Sequence, residues 1–248
     1  MNAAVSIGLT VANVVNQFSS NVMTAFRPQI IKYYSQGKKE EMKDLTILAF
    51  KVIMFIYSLV AIPVFVDVDT LLKLWLIDVP ENSALFCRLF LISIFFETIR
   101  YIFIIDIHAT GNVKLVSFTS GTLFVLIPFV SYLFLKSGFD VDVVFIIMII
   151  TNAFLSLLNI VLVKYYAKID VLPFFFAFSQ VVIASSSALV LMLNLPLLEI
   201  HSLFRGIINI VIAILLVIIS YSVICFNRGQ LRFVVGFLRS KLNLIFKS

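Results

Sequence analysis

Asn13-Val-Val-Asn-Gln-Phe-Ser-Ser-Asn-Val-Met-Thr-Ala-Phe-Arg-Pro-Gln-Ile-Ile-Lys-Tyr-Tyr-Ser-Gln-Gly37 begins as a membrane-length helix and ends as a basic, water-loving segment. Asn13, Asn16, Gln17, Ser20, Asn21 and Thr24 recur at three- and four-residue steps, so on a helix they share one broad face. Val11, Val14, Val15, Phe18, Val22 and Ala25 take the other side. A polar face of that width cannot meet acyl chains without leaving donors and acceptors unpaired. It meets either a watered cavity, as a solute pathway would require, or the hydrogen-bonding groups of a neighbouring helix.

The rest of the chain sets the same scene. Its 248 residues are 62% hydrophobic and 13% charged, with a mean hydropathy of +1.12, well outside the range of a water-soluble domain. Apolar runs of about 20 residues are long enough to cross hydrocarbon as helices. They predict an all-α membrane protein of about seven transmembrane helices, near 4–26, 46–66, 84–107, 115–135, 142–164, 172–194 and 206–226. Residues 1–227 form this bundle, and 228–248 form a basic amphipathic cytoplasmic tail lying on the anionic inner leaflet. The ten-residue alternation of an outer-membrane barrel is missing. Cys87 and Cys225 lie far apart in apolar surroundings and offer no disulfide framework. Residues 1–12 carry no basic leader, so the first helix is expected to direct insertion.

The formal net charge of +6 does not point to nucleic acid, because the cations sit in the connections between apolar runs. Lys and Arg crowd the segments near 27–51, 114, 164–168 and 228–247, against Lys73, Arg88, Lys136 and Arg205 on the other face. The first set is therefore cytoplasmic, the chain starts outside and its C-terminus lies inside. Arg27 to Asp44 reads as a polar loop, with Pro28 ending the first helix or opening a new one. Thr70–Leu76, with the single Trp75, suits a short separate helix at the headgroup level.

Glu97 and Arg100 are the least expected residues for a membrane span. Three positions apart on one helix, they form either an internal salt bridge or a site where Arg100 receives phosphate oxygens and Glu97 orients it or takes a proton. Asp106 and His108 are expected at the water boundary. Asn152, Ser156 and Asn159 make a thinner polar stripe on the fifth span, and Ser179, Gln180 and Ser185–Ser187 a contact stripe on the sixth. No nucleophile–His–acid set, phosphate-cradling glycine loop or metal spacing is legible, so neither an enzyme nor a cofactor is expected.

Ala12-Asn13 through Thr24-Ala-Phe-Arg-Pro-Gln-Ile-Ile-Lys32 with Tyr34 and Gly37, Leu72-Lys-Leu-Trp-Leu76 with Val79-Pro80, Arg88-Leu89, and Ala109-Thr-Gly111 with Lys114 follow one another over about residues 2–170. In this order they resemble the C-terminal half of lipid-linked oligosaccharide flippases, the polysaccharide-export (O-antigen type) branch of the superfamily that includes the multidrug and toxin extrusion transporters. The resemblance implies the C-terminal lobe of a MATE-like fold in the bacterial inner membrane. Its partner would be a polyprenyl-pyrophosphate-linked oligosaccharide, carried outward in surface polysaccharide biosynthesis. The cavity candidates are then Asn13, Asn16, Gln17, Ser20, Asn21, Arg27, Glu97, Arg100, Asn152 and Asn159. Family members have about twice as many spans, so a missing N-terminal lobe or a second chain is expected to complete the cavity. The alternatives are a multidrug or cation antiporter of the same fold, with Glu97 or Asp106 as its coupling carboxylate, and a membrane scaffold that transports nothing.

Overall fold

A computed structural model describes residues 2–194, 202–227 and 229–230. Within them it is 88% helix without strands. Seven helices follow in order: α1 (Asn2–Ser35), α2 (Lys39–Trp75), α3 (Ser83–Ala109), α4 (Val113–Lys136), α5 (Asp142–Ala167), α6 (Leu172–Asn194) and α7 (Ser202–Ile224). The tail expected over 228–248 falls, but for two residues, outside the described set.

Five of these helices, α2, α4, α5, α6 and α7, are long and apolar enough to cross a membrane. The other two fall short for reasons visible in their residues: α1 is diluted by its amides, and α3 spreads Arg88, Glu97, Arg100 and Asp106 along its length. Those two helices pack side by side, with α5 also on α3; Arg100 and Asp106 are buried, while Arg88 and Glu97 each keep about a third of the side chain open. α2 forms a second centre, packed on α1, α3, α6 and α7. α4 rides almost entirely on α5 and buries only Val116, Ser120 and Ser131.

The connections are short because glycine closes the helices. Gly37 (φ 73°) and Gly138 (φ 90°) adopt the left-handed conformation just past α1 and α4. In each, the next residue's N–H reaches back to the third-last turn carbonyl: Lys38 to Tyr33 at 3.0 Å and Phe139 to Phe134 at 3.2 Å. The polar loop expected over Arg27–Asp44 therefore shrinks to Gln36-Gly37-Lys38, and Pro28 neither ends α1 nor restarts it but lies inside it. The ring of Pro28 is exposed, so the helix gives up one backbone donor there without burying the carbonyl it leaves under protein.

The short helix expected over Thr70–Leu76 is set off from the body of α2 by a kink rather than a loop: the backbone breaks at Asp67 (φ −103°, ψ 23°) and a second helical piece runs on to Trp75. Arg88 of α3 clamps this break, donating to the Phe65 carbonyl at 3.1 Å and to Asp69 at 2.7 Å. Leu74, Trp75 and Ile77 nonetheless remain exposed at this end.

Lys51 was grouped with the cytoplasmic loop cations, yet it is buried in α2. Its Nζ donates at 2.7 Å to the Cys225 carbonyl, just past the end of α7, where a cation meets the negative end of the helix dipole.

Candidate functional site: the groove between α1 and α3

α1 meets α3 through its smallest side chains. Ala4, Gly8, Ala12, Val15 and Ser19 form the buried seam, continued by Phe26 and Ile30. At Gly8 the approach is so close that an added Cβ would stand 3.0 Å from the Phe86 carbonyl carbon and 3.1 Å from the Cys87 nitrogen. Val14 and Phe18 are about half exposed, 53% and 49%. The seam thus falls neither on the amide face nor on the valine face but between them, because helices in a membrane gain most where backbones come closest.

Past the small residues the helices separate. A groove of about 360 Å³ opens between the second half of α1 and the facing half of α3. Asn16, Ser20 and Thr24 contribute from the edge of the amide face, with Arg27 at the end nearer the α1 C-terminus; α3 supplies Glu97, Thr98, Tyr101 and His108. The helices run in the same direction, pairing Gly8 with Phe86 at one end and Arg27 with His108 at the other.

The groove has unmet hydrogen-bonding capacity at its floor. Ser19 and Thr98 are 1% and 3% exposed, and neither hydroxyl has a partner among the described residues. Two enclosed hydroxyls without partners in the lining of a polar cleft leave hydrogen-bonding capacity that water or a hydroxyl-rich solute can meet.

The structure therefore divides the ten residues expected to face a cavity. Asn16, Ser20, Arg27 and Glu97 line one groove. Asn13, Gln17 and Asn21 are exposed on the neighbouring flank of α1, outside the groove and directed away from the bundle. Arg100 lies behind the groove. Its guanidinium sits 5.3 Å from the ring centre of Tyr101 and 5.1 Å from that of Phe124 on α4, and its Nη2 is 3.8 Å from Glu97, a loose ion pair. Asn152 and Asn159 are buried, while α5 packs on α3; Asn152 donates to Ser93 at 3.0 Å, and the amide of Asn159 finds no partner among the described residues.

Ser19, Thr98, Tyr101 and His108 line the groove without having been singled out as cavity residues. Only Ser19 had a legible signal, the small-residue spacing of Ala4, Gly8 and Ala12 that it extends. His108 is half-buried at the mouth beside Arg27, whereas Asp106, expected in water next to it, is fully buried: its Oδ1 accepts from Thr46 at 2.7 Å, and its Oδ2 has no partner among the described residues. On a helix the two positions point to different sides, one to the groove and the other to α2.

No family model, curated protein or solved structure matches this chain.

Proposed function

We propose that this chain is one lobe of a transporter that moves a lipid-linked oligosaccharide outward across a bacterial cytoplasmic membrane, with all seven helices as spans and the C-terminus inside. The sugar head passes along the α1–α3 groove while the prenyl tail stays in lipid, and a second lobe or chain covers the exposed amides Asn13, Gln17 and Asn21. One observation carries the reading: the Asn16 amide, hydroxyls and charged groups of α1 and α3 converge on a groove whose floor hydroxyls have no partner among the described residues. Arg27 and His108 at the mouth suit the pyrophosphate; Arg100, enclosed by rings, suits a positioning role for Glu97. Deleting the gene tests it. Accumulated lipid-linked intermediates and lost surface polysaccharide are expected, and unchanged levels of both would refute the reading.

Glu97 favours a second reading, a cation or drug antiporter using the same groove, since a carboxylate facing a cleft can carry a proton or bind a cation. Altered dye or drug sensitivity in the deletion strain, with normal polysaccharide, would select it. A scaffold predicts neither phenotype.

A further inference from the structure

The charges of the groove stand at opposite ends. Arg27, with His108 beside it, holds the mouth, Glu97 faces the deeper part, and about 16 Å of helix separates His108 from Glu97. Among the described residues no group donates a hydrogen bond to Glu97. Arg100 approaches to 3.8 Å, too far for a hydrogen bond, and is held back between the rings of Tyr101 and Phe124. The Glu97 side chain keeps a third of its surface open. Ser19 and Thr98, in the same groove, present buried hydroxyls that also lack partners.

Resting on the reading of this groove as a sugar path, we propose that its deep end is a subsite for an amino sugar with a free amine, the ammonium bound by Glu97 and the ring hydroxyls by Ser19 and Thr98. An anionic sugar there would face the carboxylate directly. A neutral one would strip water from Glu97 without supplying a charged donor. The Arg27 cation at the mouth then receives the anionic end of the same molecule, with His108 beside it as a neutral hydrogen-bonding group, so the groove selects a dipolar solute in one orientation. A charge-assisted bond changes affinity by about ten- to a hundredfold, and the neighbouring Arg100 cation moves the expectation toward about tenfold.

Calorimetric titration of the purified full chain in detergent tests this with three neutral-backbone probes: the linear glucosamine trimer, its N-acetylated counterpart and maltotriose. The glucosamine trimer should bind about tenfold tighter than the other two. Glu97→Gln should erase that preference, so that within this variant the glucosamine trimer binds no tighter than maltotriose, and Glu97→Asp, which restores the charge, should keep part of it. Equal binding of the three by the unaltered protein, or a preference that survives Glu97→Gln, would overturn the amine subsite alone. Binding of none of them would remove the sugar groove itself, and this subsite with it.

Discussion

Gly8 shows how much rests on a single absent methyl. Replacing it by alanine brings a gain in helix propensity of about 1 kcal/mol, but the new Cβ meets backbone atoms of Phe86 and Cys87, which cannot rotate away as a side-chain tip could. Overpacking of this kind costs about 1–3 kcal/mol, so the cost wins. Gly121 on α4 is the internal control, because nothing lies within 4 Å of its missing Cβ and only the propensity gain remains. Thermal unfolding in detergent should therefore show Gly8→Ala lowering the midpoint and Gly121→Ala holding or raising it. A midpoint raised by both would mean that the α1–α3 seam has slack.

At the scale of elements, one hydroxyl joins α2, α6 and α7 at a single point. Tyr221 is fully buried, and its OH lies 2.7 Å from Ser185 of α6, 2.9 Å from Ser58 and 3.1 Å from the Met54 carbonyl of α2. Tyr221→Phe keeps the ring packed against Phe55 and Phe226 and removes only this junction. Interhelical hydrogen bonds within membranes average about 0.6 kcal/mol, so a loss of about 1 kcal/mol is expected for the cluster. The check is the unfolding midpoint beside that of Ser185→Ala, which breaks fewer bonds and should lose less; a larger loss in Ser185→Ala would locate the junction elsewhere. Lys51 at the end of α7 provides a second tie between the same two helices, so the pair should remain docked in either variant.

For the whole molecule the informative surface is the flank of α1. Asn13, Gln17 and Asn21 are exposed, and with α1 as a span, as proposed above, amides at that depth need partners. Val125 on α4, 61% exposed, needs none. Cys87 and Cys225 are 0% and 2% exposed and give little background for thiol chemistry. In membranes, a cysteine at position 17 should cross-link into a species of higher mass, and one at position 125 should not. If both react alike with a lipid-soluble probe and neither cross-links, no second protein surface covers α1.

Membrane class and helical architecture were legible in the sequence, because hydrocarbon admits helices of about 20 apolar residues and demands that every backbone group pair within them. The amide periodicity of α1 and the rarity of Glu97 and Arg100 marked where polar chemistry would sit, for the same reason. Helical period alone places a residue on a face, but it does not say what the face meets. Only the tertiary packing decided that the seam follows Ala4, Gly8 and Ala12, that Asn16 and Ser20 share a groove with Glu97 while Asn13 and Gln17 do not, and that Asp106 is enclosed beside Thr46. Those outcomes depend on how closely two backbones can approach, a property of both helices together that neither sequence stretch carries by itself.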